Sequence, residues 1–180
     1  MSKFLELCCP AEYVESVSCI DVQGLKQRHI DALLVDLDNT LVPWQGYEIK
    51  PEVLDWLREV KAQGIKVCIV SNTRTARRLR KLAEEFDVPF AKKALKPRRG
   101  GFREALKLLD IEPARAAVVG DQIFTDILGG NRLGVYTILV DPLYRREFFG
   151  TKISRLFEKL ILRKLRRQGK LSIGKHCCSE

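Results

Sequence analysis

Short apolar runs alternate with helix-like segments along most of this 180-residue chain. The apolar runs are residues 32–38, 65–70, 88–91, 116–119 and 135–140, and the helical patterns are residues 51–63, 75–86, 101–109 and 125–133. Repeated strand–helix alternation predicts a parallel sheet covered by helices on both faces. We therefore expect an α/β protein with a three-layer, Rossmann-like fold, and the chain is long enough for one such core.

Polar residues that could bind a phosphate or a cation follow four of the apolar runs. In chain order they are Asp36, Asp38, Ser71, Asn72, Thr73, Lys96, Asp121 and Asp126. In parallel α/β sheets, ligands bind beyond the carboxyl ends of the strands. The sequence therefore predicts that these side chains meet at one edge of the sheet.

The residue types in this set are suited to phosphoryl transfer. Several carboxylates that meet at one point repel each other, and oxygen-only ligands favour Mg²⁺. Asp36 could attack phosphorus as a nucleophile, and Asp38 could protonate the leaving alkoxide and then activate water. Lys96 and a hydroxyl could hold the phosphate oxygens. Because residues two apart in a strand point the same way, Asp36 and Asp38 should face one group while Leu37 faces the core.

Four motifs, DLDNT, SN, KP and GDQIFTD, occur in this order, each after a predicted strand. Together they resemble the haloacid dehalogenase (HAD) phosphohydrolase superfamily, which implies a HAD-type fold and a Mg²⁺-dependent phosphatase. By this resemblance Asp36 is the nucleophile and Asp38 the general acid and base. The implied metal ligands are Asp36, Asp121 and the backbone carbonyl of Asp38, with Asp126 supporting the metal directly or through water. The expected phosphate contacts are Thr40, Ser71, Asn72 and Lys96.

The chain is most similar to the type IIIA, YqeG-like subgroup, which is related to mitochondrial phosphatidylglycerophosphate phosphatase. This similarity rests on LCCPAEYVESVSCID, LVDLDNTLVPW and VVGDQIFTDILGGNRLGVYTILVDPL, and it spans residues 5–145. It implies that phosphatidylglycerophosphate is dephosphorylated to phosphatidylglycerol. The alternatives are a soluble phosphatase acting on sugar phosphates, nucleotides or phosphorylated macromolecules, and a non-catalytic nucleic-acid or assembly partner. The intact Asp36 and Asp38 pair counts against the non-catalytic alternative.

The intervals between the motifs are too short for a cap domain of the usual size. A predicted helix and strand use most of the residues between Asp38 and Ser71, and another helix and short strand fill the interval from Ser71 to Lys96. We therefore expect no sizeable cap and an open site. An open site suits a macromolecule or an anionic phospholipid headgroup at a membrane surface.

Two features near the motifs have alternative interpretations. Trp44 either flanks the entrance of the site or packs against the first helix of the sheet region. Gly129 and Gly130 follow the fourth motif, so close helix packing or a helix end is favoured over a phosphate-binding loop.

The C-terminal segment carries most of the net charge of +9, since residues 143–170 contain ten Lys or Arg and two acids. We divide the chain into a phosphatase core with an N-terminal lead, residues 1–145, and a basic amphipathic helix and tail, residues 146–180, which is not a separate domain. One helical face carries Ile153, Leu156, Phe157, Leu160, Ile161 and Leu165, and Leu162 breaks this pattern. Residues 151–167 could therefore contact an anionic membrane, or the helix could dock on the sheet with its basic face in solvent. The segment matches no nucleic-acid-binding motif, so nucleic acid is not an expected partner.

The sequence also favours a reducing compartment. No apolar run reaches the length of a membrane span, and the first residues lack the sustained apolar stretch of a signal peptide. The six cysteines fit neither a zinc pattern nor a compact disulfide framework. We expect a cytoplasmic protein, peripheral at the inner face of the membrane if the basic helix binds lipid.

Overall fold

The structure, a computed structural model, describes residues 3–73, 75–91, 94–144 and 149–171, with the side chains of the last helix described from Leu156 onward. Within these ranges the strands are β1 (Glu12–Val14), β2 (Ala32–Val35), β3 (Lys66–Ile69), β4 (Ala116–Gly120) and β5 (Tyr136–Val140). They form one sheet in the order β1-β5-β4-β2-β3, and every neighbouring pair is parallel. The predicted parallel sheet is therefore confirmed.

Helices of the described ranges surround this sheet. They are α1 (Lys3–Leu7), α2 (Val22–Gln27), α3 (Pro51–Ala62), α4 (Ala76–Phe86), α5 (Arg99–Leu109), α6 (Leu128–Leu133) and α7 (Phe149–Arg167). A single π-helical turn, Ile123–Ile127, leads directly into α6. The segment predicted as one helix at residues 125–133 thus begins with a wider turn.

Buried side chains on the two faces of the sheet belong to two separate cores. Leu33 and Val35 of β2 pack with buried residues of α2, α3 and α4, whereas Ala32 and Leu34 pack with those of α5. This division follows from strand geometry, because successive side chains point to opposite faces. The molecule therefore has the expected three layers. Between the first and third motifs the elements of the described residues are α3, β3 and α4, which do not make a cap domain.

Two regions differ from the predicted strands. The N-terminal lead forms β1, which pairs with β5. A strand of three residues is too short to be recognised from the alternation of apolar and polar residues. Residues 88–91 make only an isolated bridge between Ile69 and Phe90. Pro89 has no N–H to donate, and this restricts the segment to a short edge contact.

Helix α6 contains the glycine pair, and the prediction of close packing is confirmed. A Cβ atom on Gly129 would lie 2.5 Å from Cε2 of Phe102, and one on Gly130 would lie 2.7 Å from Cγ2 of Thr137. Larger residues would push α6 away from α5 and β5.

Helix α7 packs on the sheet side that carries the π turn, and only part of the face predicted from its apolar pattern, Ile161 and Leu165, is docked. Its buried or partly buried stripe is Glu158, Ile161, Leu162 and Leu165, whereas Leu156, Phe157 and Leu160 are 51–61% exposed. On this docked side the Glu158 carboxylate accepts a hydrogen bond from the Phe124 N–H at 3.3 Å, and Leu162 is partly buried beside it. In the parts of the chain that the structure describes, no helix is both long and apolar enough to cross a bilayer.

Candidate active site

A pocket of about 720 Å³ lies beyond the carboxyl ends of β2, β3 and β4. Its walls are formed by Asp36, Asp38, Asn39, Trp44, Gln45, Tyr47, Ser71, Asn72, Thr73, Thr75, Arg78, Lys96, Gln122 and Thr125. Trp44 is 40% exposed at the rim, which favours the entrance over the alternative of packing on a helix. The topology therefore gathers residues of all four motifs at one edge of the sheet.

Asp36 and Asp38 follow β2, which ends at Val35, and the pairing with β4 continues to Asp36, whose N–H donates to the Val119 carbonyl at 2.9 Å. A tight turn follows, in which Leu41 and Val42 donate backbone hydrogen bonds to the Leu37 carbonyl. Both aspartates line the pocket, and Leu37 is fully buried in the core. The expected directions of the three side chains are therefore confirmed.

Three buried acids meet below this pocket. Carboxylate oxygens of Asp36, Asp121 and Asp126 lie within 4.8 Å of one another. The Lys96 ammonium contacts Asp36 Oδ1 directly and lies 2.7 Å from Asp126 Oδ1. When all three acids are ionised, a single ammonium leaves the cluster with excess negative charge. Hard oxygen donors at this spacing fit Mg²⁺, which neutralises such a cluster.

The protonation of this cluster is governed by its burial. Burial raises the pKa of Asp36 to about 7, Lys96 opposes the rise, and the charges of Asp126 and Asp38 add to it. Burial alone would lower the pKa of Lys96, but Asp126 and Asp36 outweigh it and raise the pKa above its ordinary value. Lys96 is therefore charged at neutral pH. Additional positive charge next to Asp36 would lower the pKa of its carboxyl group and keep it ionised.

The fourth motif places Asp126 by means of a glycine and the π turn. Asp126 Oδ2 accepts hydrogen bonds from the Gln122 N–H at 3.1 Å and from the Thr125 hydroxyl at 3.3 Å. A Cβ atom on Gly120 would overlap the Asp126 carboxylate, so only glycine fits at the end of β4. π-helical turns occur frequently at functional sites, where they aim a side chain that a regular helix would direct elsewhere.

The second and third motifs are joined through Asn72. Its amide accepts a hydrogen bond from the Lys96 N–H at 2.7 Å and donates to the Lys96 carbonyl at 3.1 Å. Ser71 Oγ accepts from the Thr73 N–H at 3.1 Å, which leaves its hydroxyl hydrogen as a donor toward the pocket. Asn72 thus positions the lysine, and a direct contact between Asn72 and phosphate stays a prediction.

Among the predicted phosphate contacts, Thr40 is the one that lies outside the pocket wall. It is 1% exposed, and within the described ranges its Oγ1 atom has no hydrogen-bond partner. The predicted contact between Thr40 and phosphate therefore has no support from its position.

Arg78 is a pocket residue that sequence reasoning did not identify. Its Nη1 atom lies 2.9 Å from Asp38 Oδ1, and its side chain is only 4% exposed. A signal was present in the sequence, because Arg78 falls on the stripe of α4 that also contains Leu79, Leu82 and Phe86. A charged residue on the core face of an amphipathic helix needs a buried partner, and the neighbouring acid motif supplies one.

Comparisons with known proteins agree with this geometry. The sequence profile of the family "haloacid dehalogenase-like hydrolase" matches residues 20–134. The chain is 40% identical over 160 residues to "Probable phosphatase YqeG" of Bacillus subtilis (strain 168), a match that covers 89% of this chain and 92% of that protein. The predicted enzyme class, a hydrolase of the phosphatase type, is thereby confirmed.

Two further likenesses are more distant. "Phosphatidylglycerophosphate phosphatase 1, chloroplastic/mitochondrial" of Arabidopsis thaliana is 29% identical over 168 residues, which span 88% of this chain and 48% of the plant protein. A crystal structure of an uncharacterized protein from Listeria monocytogenes serotype 4b superimposes with a TM-score of 0.52 at 22% identity, covering 75% of this chain and 99% of that one. The match to the family profile and the bacterial relative show that this chain belongs to the haloacid dehalogenase-like hydrolases.

Proposed function

We propose that this protein is a Mg²⁺-dependent phosphomonoesterase that forms an aspartyl-phosphate on Asp36. The observation that carries the proposal is the position of Asp36, at the pocket wall and in contact with Lys96 and the other buried acids. Mg²⁺ held by Asp36, Asp121 and the Asp38 carbonyl, with Asp126 in support, would supply positive charge to the phosphoryl oxygens.

The chain's own groups account for both chemical steps. An Asp36 oxygen forms a bond to phosphorus while the bond from phosphorus to the ester oxygen breaks, and Asp38 gives its proton to that oxygen. Asp38 then takes a proton from water, the hydroxide attacks phosphorus, and Asp36 is released as a carboxylate. Lys96 and the Ser71 hydroxyl stabilise the charge on the phosphoryl oxygens in both steps.

We infer that phosphatidylglycerophosphate is the substrate and phosphatidylglycerol the lipid product. The supporting observations are the likeness to the plant protein of that name and an uncapped pocket whose rim residue Tyr47 is 50% exposed. An uncovered site accepts a headgroup whose lipid chains stay in a bilayer.

We propose that the enzyme acts from the cytoplasm, at the inner face of the membrane, with residues 151–167 as a peripheral contact. In α7 the apolar side chains of Leu156, Phe157 and Leu160 are exposed among basic residues, a combination suited to an anionic surface. The docked stripe of α7 leaves these three side chains available.

Substitution of Asp36 by Asn tests the chemical proposal. The Asn side chain keeps the shape of Asp36 but is not a carboxylate nucleophile, so Mg²⁺-dependent phosphate release should disappear while the far-ultraviolet circular dichroism is unchanged. Asp55→Asn is the matched control, because the Asp55 side chain is 70% exposed on α3. Turnover by Asp36→Asn at the rate of the unmodified protein would contradict the assignment of the nucleophile.

A substrate comparison tests the lipid proposal. We expect faster phosphate release from phosphatidylglycerophosphate in anionic vesicles than from a panel of sugar phosphates, nucleotides and phosphopeptides. Equal or faster release from a soluble ester would favour the soluble phosphatase instead.

A further inference from the structure

Arg78 lies behind the general acid, in contact with both Asp38 and the loop that follows it. Nη1 lies 2.9 Å from Asp38 Oδ1. Nε and Nη2 donate to the Gly46 carbonyl at 3.0 and 2.7 Å, and Nη2 also lies 3.3 Å from the Pro43 carbonyl. Nε and Nη2 are therefore hydrogen-bonded to the loop, whereas Nη1 makes an ion pair with Asp38 without a hydrogen bond, and the side chain is 4% exposed.

A buried guanidinium in this position is not explained by packing. Burying an ion pair costs desolvation free energy that an apolar side chain of the same volume would avoid. The planar fork of arginine donates to two carbonyl oxygens at fixed angles while its charge faces the Asp38 carboxylate, a combination that the compact ammonium of lysine does not reproduce. The contacts thus indicate that orientation of these groups is what Arg78 provides.

The loop at residues 43–47 gives Arg78 a second route to the same carboxylate. The Gln45 N–H donates to Asp38 Oδ1 at 3.0 Å, and Gln45 has a φ of 55°, a conformation that is unfavourable for a residue with a side chain. The two carbonyls that Arg78 binds, those of Pro43 and Gly46, flank Gln45. Arg78 therefore holds the turn that presents this N–H.

Both contacts fall on one oxygen of Asp38. Arg78 and the Gln45 N–H occupy Oδ1. With Oδ1 held by these two contacts, Oδ2 is the oxygen left to face the leaving group. Arg78 also lies near the rim of the pocket, because its guanidinium is 5.8 Å from the centre of the Tyr47 ring.

We propose that Arg78 is the positioning residue of the general acid, fixing Asp38 directly and through the loop at residues 43–47. The inference rests on the proposed phosphatase chemistry and adds a residue that acts through Asp38 without taking part in proton transfer. The loss of rate caused by replacing Arg78 should depend on the leaving group, since only a poor leaving group needs the proton that Asp38 delivers.

The test compares two esters in the presence of Mg²⁺. 4-Nitrophenyl phosphate releases a stabilised phenolate, whereas glycerol phosphate releases an alkoxide that must be protonated. For Arg78→Met we expect kcat/KM to fall roughly 10- to 100-fold on glycerol phosphate and less than about threefold on the nitrophenyl ester. Arg77→Met, an exposed neighbour on α4, is the matched control and should leave both values unchanged.

Further variants keep the result interpretable. Asp38→Asn should show the same selectivity for the leaving group, and the double variant Asp38→Asn with Arg78→Met should lose little more than Asp38→Asn alone, because both changes act on one carboxylate. Arg78→Lys keeps the charge but not the fork, so we expect a smaller loss with the same selectivity. It replaces Arg78→Met in the comparison if the methionine variant does not fold.

The outcomes separate the inference from the function on which it rests. Equal losses on both esters, or a loss confined to KM, would overturn the positioning role and favour direct substrate binding by Arg78. If Asp38→Asn itself affects both esters equally, the assignment of Asp38 as general acid fails, and the role of Arg78 fails with it.

Discussion

Replacing Asp36 with Asn should stabilise the protein when no divalent cation is present, although it abolishes turnover. The reason is the excess of buried acids over ammonium groups around Lys96. In the variant, Lys96 keeps its partner Asp126 at 2.7 Å, so the substitution does not leave a buried ammonium unpaired. The change removes one charge from the cluster and preserves the volume of the side chain.

The magnitude follows from the pKa of Asp36, which burial raises from its ordinary value of 3.8 to about 7. Between these values the unfolded chain has lost the proton and the folded chain still holds it. The unfolded state therefore binds fewer protons, and the free energy of unfolding falls as pH rises from about 4 to 7. At about 1.4 kcal/mol per pKa unit, the loss attributable to Asp36 is about 4 kcal/mol as an upper limit.

Urea denaturation of both proteins in EDTA at pH 4.5, 6 and 8 measures this effect. We expect the variant to gain stability over the unmodified protein as pH rises, and Asp55→Asn to show no such gain. Mg²⁺ should reduce the difference, because a ligand at a hundred times its Kd stabilises the native protein by about 2.7 kcal/mol. An unmodified protein that is the more stable one at pH 8 in EDTA, or a difference that does not change with pH, would refute the reasoning.

Three other substitutions have defined outcomes. Gly120→Ala should place a methyl group against the Asp126 carboxylate, so we expect a loss of about 1–3 kcal/mol in urea denaturation together with weaker Mg²⁺ activation; intact Mg²⁺ dependence would contradict this. Asn72→Ala should lower kcat roughly 10- to 100-fold and also lower thermal stability, because the Lys96 backbone loses both of its hydrogen bonds to Asn72. Phe157→Ser should weaken sedimentation with anionic vesicles without slowing hydrolysis of a soluble ester. Leu108→Ser, on the exposed surface of α5, is the control, and equal sedimentation of the two variants would count against the contact through α7.

The position of the site could be predicted from the sequence because chain topology alone determines it. Parallel strands end at the same edge, so any polar residues that follow them must meet there. The order of the motifs therefore predicts that Asp36, Ser71, Lys96 and Asp121 lie at this edge. Their individual contacts depend on turns of a few residues, such as the one after Leu37, which periodicity does not describe.

Sequence patterns also do not predict which groups Arg78 contacts or which face of α7 is docked. Each depends on polar contacts between distant segments, those of Arg78 with Asp38 and the loop carbonyls in one case and that of Glu158 with the Phe124 N–H in the other. Hydrophobic patterns rank the faces of a helix by apolar content, and α7 buries a stripe containing Glu158 in preference to the face with more apolar residues. The hydrogen bond from the Phe124 N–H to the Glu158 carboxylate is a contact that apolar content does not register.

The short strand β1 has a consequence for the solution behaviour of the chain. It covers one edge of β5, and Asn131 ties the residues before it by donating to the carbonyls of Leu7 and Cys9 at 2.8 Å each. A protein trimmed to start at residue 20 would keep every motif but leave the backbone groups of that edge unpaired. Unpaired edges of regular strands recruit other chains, so the trimmed protein should self-associate while its chemistry is intact. By pairing with this edge, the N-terminal lead reduces the tendency of the protein to aggregate.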